Sequence, residues 1–430
     1  MKGDAVKINL NVDVHHLARV EGHGNILVRI ARGEVVEARW EVVETPRYFE
    51  VILKGKHYTS AGILTARIRG ICSIGHCLAS VRATENAFGV AIPEAAKRLR
   101  LLAKHGETLQ SHVLHLFFLA APDFLGVPSV IPLVQTMPEV VGLAAKLKGL
   151  ANDLCDAVAG RTTHPVSIQV GGMATMPERS RLRALRERLS SAIPDLGKAA
   201  ELWSKLTMPA FAPETEFVSL RGELGYPWIG GRLVSSDGVA KDETEYRAMT
   251  NEYSIPEGTT KWCRLSRDSF AVGALARLNN NYQFLHAEAR AVAEMLGLQP
   301  VCHNPFMNNA AQLVECVHVA HEAIRLIDEL LDTPADAPLL AEVQPREGQG
   351  VGAVEVPRGI LYHDYQYGAD GRIVRANCVI PTTQNNAKIH GDIRALAHQF
   401  STVCQTDEEL EKLCSMLVRS YDPCISCSVH

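Results

Sequence analysis

Apolar and polar residues alternate along the first part of the chain, and the alternation predicts strands. Val6, Ile8, Leu10 and Val12 form one run, and Ile26, Val28 and Ile30 form a second. After the turn-forming Ala31-Arg32-Gly33, Val36, Ala38, Trp40 and Val42 resume the period of two. From about residue 76 the spacing becomes helical and mostly stays so. Asn304 and Pro305 supply an N-cap and first-turn pair, and Leu313, Val317, Ala320, Ile324, Ile327 and Leu331 follow on one helical face. Leu182, Leu185 and Leu189 begin another amphipathic helix. Ile360 and Tyr362, the Asp370-Gly371 turn, then Ile373, Ala376 and Val379 predict a late hairpin. The expected fold is α+β and predominantly helical. A central bundle of long helices carries small antiparallel sheets or hairpins near the N- and C-terminal parts, as a single domain over residues 1–430.

Composition narrows the function classes. A net charge of −4 with no run of like charges gives no electrostatic case for nucleic acid. The most apolar stretch, Val113 to Val134, contains Pro122, Asp123, Pro128 and Pro132, which argues against a membrane span. No signal peptide is visible before the first alternating run. The 11 cysteines are scattered rather than framework-spaced. That pattern suits a reducing, cytoplasmic setting and metal or buried-thiol roles over disulfides.

The densest chemistry sits in the last residues, Asp422-Pro423-Cys424-Ile425-Ser426-Cys427-Ser428-Val429-His430. Two soft sulfurs and an imidazole favour zinc, copper(I), iron–sulfur or nickel–iron chemistry over hard cations. A lone C-x-x-C is more often half of a zinc knuckle or a redox pair. A structural zinc site needs a second half-site, and Cys72 with Cys77 has the wrong spacing for one. On their own, Cys72 reads equally well as a small buried hydrophobe, Glu21 as a capping carboxylate and Arg358 as a surface charge.

Ordered motifs along nearly the whole chain resemble the large, catalytic subunit of nickel–iron hydrogenases, with most likeness to the cytoplasmic, multimeric, bidirectional group. They are L-A-R-V-E-G-H-G (17–24), P-R-Y-F-E (46–50), R-I-R-G-I-C-S-I-G-H (67–76) and S-H-V-L-H-L-F-F-L-A-A-P-D-F (111–124). T-H-P-V-S-I-Q-V-G-G-M (163–173), V-G-A-L-A-R (272–277), V-P-R-G-I-L-Y-H (356–363), P-T-T-Q-N-N (381–386) and R-S-Y-D-P-C-I-S-C-S-V-H (419–430) follow.

The resemblance implies a NiFe(CN)2(CO) centre on two C-x-x-C pairs. Cys424 matches a terminal nickel ligand, while Cys427 and Cys72 match the bridging ligands. His76 resembles the histidine that hydrogen-bonds a bridging sulfur, and Glu21 the carboxylate that takes the proton. Arg358 matches the arginine beside the iron, Thr382 the hydroxyl that bonds a cyanide, and Asp123 and Asp422 the acids that hold the arginine. Glu50, His430 and the carbonyl of Cys378 resemble the ligands of a structural Mg2+. The implied partners are an iron–sulfur small subunit, diaphorase-type flavin iron–sulfur subunits linked to NAD(P) or ferredoxin, a maturation protease and nickel-insertion factors.

One position departs from the pattern: Arg69 stands where the family has the fourth cysteine. Arginine keeps its proton and offers no lone pair, so it cannot replace a thiolate. The expectation is a hydrogenase large subunit in which reversible H2 cleavage is impaired. A non-catalytic scaffold subunit without nickel is the alternative, and a zinc protein using Cys72, Cys424, Cys427 and His430 is a third reading.

Overall fold

A computed structural model describes residues 9–222, 225–256 and 258–430. The expected strand positions Val6 and Ile8 lie outside them. Strands β1 (Leu10–Val14), β2 (Gly24–Ala31) and β3 (Glu34–Val42) form an antiparallel meander. Ile26, Val28, Ile30, Ala38, Trp40 and Val42 point into the core as their alternation predicts, but Val36 is exposed. The cause is a bulge: Arg29 pairs with Glu37 while Ile30 pairs with Val35, so the inward face shifts by one residue.

The long helices α1 (Ser73–Phe88), α2 (Glu94–Leu114), α3 (Pro138–Ala159) and α4 (Arg179–Trp203) come next. Besides the sheets near the N- and C-terminal parts, the chain carries a further small sheet. Strands β4 (Glu216–Arg221) and β5 (Arg232–Ser235) pair antiparallel in mid-chain, with short edge strands at 240–241 and 270–271. The last of these pairs parallel to β4. Helices α5 (Ala274–Asn281) and α6 (Asn308–Asp332) follow. The Asn304 side chain caps as expected, but the turn it opens at Pro305–Met307 is 3-10 and leads into α6. Helix α2 packs on α3 and α6, and α6 on α4, giving the central bundle. The late sheet has three strands, β6 (Gly348–Val356), β7 (Gly359–Tyr367) and β8 (Ile373–Val379), before helices α7 (Pro381–Phe400) and α8 (Asp407–Ser420).

Helix α1 and strand β6 approach closely because both present small residues. An added Cβ at Gly352 would sit 2.2 Å from the Ala79 carbonyl oxygen, and one at Gly350 2.2 Å from that of Ala83. Gly348 meets Ala87 in the same way, at 2.6 Å. Gly352→Ala is therefore expected to cost roughly 1–3 kcal/mol, because helix and strand have to part. A thermal-unfolding midpoint indistinguishable from that of the parent would contradict this packing.

Candidate metal centre

The α1–β6 pair carries residues of the pocket at one end, where the N-terminus of α1 meets the C-terminal end of β6. Cys72 is buried at the cap of α1, and His76 lies one turn on, its N–H donating to the Cys72 carbonyl at 3.1 Å. The Gly75 N–H donates to Glu107 Oε1 of α2 at 2.9 Å. A Cβ at Gly75 would lie 2.2 Å from Val356 Cγ1, so this turn tolerates no side chain. Arg358 lies just beyond β6 and is buried, its Nη2 donating to Asp422 Oδ1 at 2.7 Å and its Nη1 lying 3.5 Å from Ser111 Oγ.

The C-terminal tail folds down over this turn. Asp422 takes a left-handed conformation (φ 49°), and Gln312 Nε2 donates to its Oδ2 at 3.1 Å. The Cys424 N–H donates to Thr382 Oγ1 at 2.9 Å, and the Ile425 N–H to the Glu21 carbonyl at 2.9 Å. Arg47 Nη2 donates to the Ser426 carbonyl at 2.8 Å, and the Thr260 hydroxyl to that of Ser428 at 2.9 Å. A ring nitrogen of His76 and the sulfurs of Cys72 and Cys427 lie within 4.8 Å of one another. The same holds for a Glu21 carboxylate oxygen and the sulfurs of Cys424 and Cys427.

Burial pushes the Cys72 thiol up to about 12 and the His76 imidazole down to about 3, so both are neutral here unless a cation intervenes. Cys424 and Cys427 are joined as a disulfide, contrary to the expectation of free thiols, while the other nine cysteines are free. In this form the tail sulfurs are not thiolates, and ligation requires the reduced pair. Cys424 Sγ sits 3.0 Å from Glu21 Oε2.

Arg69 is about one-third exposed rather than deeply buried, and it has a carboxylate partner. Its Nη2 lies 2.8 Å from Glu21 Oε1, and its Nη1 3.3 Å from Ser426 Oγ. The Ser426 hydroxyl also donates to Glu21 Oε1, at 2.6 Å. Asp123 does not reach Arg358. Its carboxylate is taken by Arg419, at 2.6 and 2.9 Å, and by Arg19. His430 is not with the thiols: its Nε2 lies 2.7 Å from the Cys378 carbonyl and 3.6 Å from Glu50 Oε1, which argues against the third reading, a Cys3His zinc set with His430. The Cys378 N–H donates to Glu50 Oε1 at 2.8 Å, so Glu50, Cys378 and His430 form a separate cluster. Ser111, Gln312, Ser426 and His363 were not singled out by sequence. Ser111, His363 and Ser426 lie within quoted motifs, but no spacing announces which partner each meets.

The fold gathers three cysteine sulfurs and an imidazole into one pocket, donor types that suit a soft metal ion. The nickel-dependent hydrogenase family matches residues 47–154 and 235–430, and the chain belongs to that family. It is 34% identical to the alpha subunit of sulfhydrogenase 1 from Pyrococcus furiosus over 428 residues, 98% of each chain. It is 27% identical to the beta subunit of the NAD-reducing hydrogenase HoxS of Cupriavidus necator, covering 96% of this chain and 93% of that one. A solved NAD+-reducing nickel–iron hydrogenase in its H2-reduced state superposes with a TM-score of 0.89 at 29% identity, covering 98% of this chain and 99% of that chain. Among the described residues no helix is long and apolar enough to cross a membrane.

The donors fit the family's binuclear centre only in part. Cys72, Cys424 and Cys427 supply sulfur, but a guanidinium paired with Glu21 stands at the fourth position. A cation without a lone pair cannot complete a four-thiolate set.

Proposed function

We propose that the chain is the large, hydrogen-activating subunit of a cytoplasmic, multimeric, bidirectional nickel–iron hydrogenase, with hydrogen turnover impaired by Arg69. The convergence of Cys72 with Cys424 and Cys427, beside Glu21 and Arg358, carries the reading. The family's chemistry is reversible, heterolytic cleavage of H2 at a NiFe(CN)2(CO) centre. Glu21 Oε2, 3.0 Å from Cys424 Sγ, would exchange a proton with a reduced Cys424, and Asp422 holds Arg358 as a fixed buried cation. The Thr382 hydroxyl anchors the Cys424 amide. Glu50, the Cys378 carbonyl and His430 would hold Mg2+ together with water, a donor set dominated by oxygen.

Among the described residues the clusters of three metal-ligating side chains all belong to this pocket and none is a four-cysteine set, so the reading takes electrons out through an iron–sulfur small subunit. Diaphorase-type flavin subunits, a maturation protease and nickel-insertion factors complete the reading. Metal analysis and H2-dependent dye reduction of the purified complex test it. Nickel is expected far below one per chain, with dye reduction at background. Stoichiometric nickel with turnover would sink the role given to Arg69. The Arg69–Glu21 ion pair also favours a second reading, a non-catalytic scaffold subunit, which predicts no gain of nickel when Arg69 becomes cysteine.

A further inference from the structure

His76 is more than a neighbour of the sulfurs, because its other nitrogen is fixed by a hydrogen-bonded chain. His76 Nδ1 lies 3.2 Å from His363 Nε2, and His363 Nδ1 lies 2.5 Å from the Tyr365 hydroxyl. The Tyr365 hydroxyl donates to Ser80 Oγ at 3.1 Å. With the tyrosine proton committed to Ser80, its oxygen accepts from His363 Nδ1–H. His363 Nε2 is then a lone pair that accepts from His76 Nδ1–H. The remaining nitrogen of His76, Nε2, therefore carries a lone pair and no proton. Such a nitrogen cannot donate to a sulfur, but it can bind a cation, and a histidine oriented from behind by hydrogen bonds is the usual arrangement at metal sites.

We infer that the reduced pocket binds one soft divalent cation of the zinc class, held by Cys72, Cys427 and His76 with Cys424 as the fourth donor. The inference goes beyond the hydrogenase reading and rests on its missing fourth thiolate. Cys72, His76 and Cys427 already converge within 4.8 Å, and Cys424, which shares the second cluster with Cys427, would complete a closed tetrahedral set of three sulfurs and one imidazole that needs no group at position 69. Arg69 and Arg358 each keep a carboxylate partner, Glu21 and Asp422, so neither cation competes as an unpaired charge. Ligation requires the Cys424–Cys427 bond to open. A dithiol reductant supplies the two electrons and two protons, becoming a cyclic disulfide, and the thiol protons leave to solvent as the cation binds.

The test is an anaerobic Co2+ titration of the reduced full-length chain, with any co-purifying subunits, followed by displacement with Zn2+. The expected result is a single Co2+ per chain with an intense sulfur-to-cobalt charge-transfer band that Zn2+ abolishes. Cys72→Ser is expected to lose roughly a third of that band, as one of three thiolates is removed. His76→Ala is expected to weaken Co2+ by at least about tenfold, and Tyr365→Phe by about tenfold through the lost orientation of His76. Far-UV circular dichroism shows whether each variant is folded. If His76→Ala fails to fold, Tyr365→Phe and Cys72→Ser carry the test. The site is overturned by no uptake, by uptake insensitive to the folded variants, or by more than one thiolate-bound ion per chain, an ion at the separate Glu50–His430 cluster giving no sulfur-to-cobalt band. Iron with infrared bands of bound carbon monoxide and cyanide in the purified chain would also overturn it, while leaving the hydrogenase reading standing.

Discussion

Arg69→Cys is expected to bring nickel toward stoichiometry in the purified complex and to raise H2-dependent dye reduction by at least roughly a hundredfold. Loss of a group that merely supports a ligand already costs 10–100-fold in metal affinity, so restoring an absent ligand should gain at least as much. The geometry adds a second contribution. Arg69 Nη2 occupies Glu21 Oε1 at 2.8 Å, and Glu21 Oε2 is the oxygen beside Cys424. The substitution supplies a thiolate and also releases the carboxylate that lies beside Cys424. Arg69→Ala separates the two effects, since it releases Glu21 without adding a donor, and its nickel content is expected to stay low. Nickel uptake in Arg69→Ala equal to that in Arg69→Cys would show that charge, not ligation, set the parent's deficit. No gain in either variant would favour the scaffold reading.

Arg277→Met is expected to destabilise the fold by about 3–5 kcal/mol, the range for breaking a buried ion pair from one side. Arg277 has no exposed side-chain surface, and Nε and Nη2 grip Glu315 at 2.7 Å each. Its Nη1 reaches Glu355 Oε2 at 3.0 Å and the Val356 carbonyl at 2.9 Å. Burial alone would raise the Glu315 carboxyl, yet the charge and hydrogen bonds of Arg277 hold it far below its usual range. Without the guanidinium two buried carboxylates lose their counter-charge. Urea unfolding of the variant measures the cost, and a change below about 1 kcal/mol would mean the network is not sustained by Arg277. Replacing Glu315 and Glu355 by apolar residues in the same background is expected to recover part of the loss. Because Nη2 also donates to the Pro357 carbonyl at 3.1 Å, the variant should disturb the neighbouring Arg358.

Much of the fold was legible where periodicity is strong. The faces carrying Leu182, Leu185 and Leu189, and Leu313, Val317, Ala320 and Ile327, are buried as their spacing predicts, with Ile324 and Leu331 half-buried against the same core. The mid-chain sheet left little trace because its edge strands are two residues long and β4 is buried at nearly every position, so nothing alternates. Strand β6 begins Gly-Gln-Gly-Val-Gly, which reads as a loop, although those glycines serve close packing. At the site, the tail motif pointed to metal by its own chemistry. Pairings were less accessible. Asp123 and Asp422 both looked like partners for Arg358, but Arg19 and Arg419 compete for Asp123 from elements distant in sequence. Likewise His430 is three residues from Cys427, yet the tail turns its imidazole toward Glu50 and brings His76 to the sulfurs instead.

The glycine–alanine seam between α1 and β6 also works as a ruler. Cys72 caps the N-terminal end of the helix and Arg358 follows the C-terminal end of the strand, so both stand at the Gly75–Val356 end of the seam, beyond which the two backbones touch without side chains to act as springs. Such a contact can separate but can hardly compress or slide in small steps. The spacing of sulfur and guanidinium is thus set by atomic radii rather than by the chemistry of the pocket. Substitutions several turns away, at Gly348 or Ala87, should be felt at the pocket as a displacement of Cys72 relative to Arg358 even though they touch neither residue.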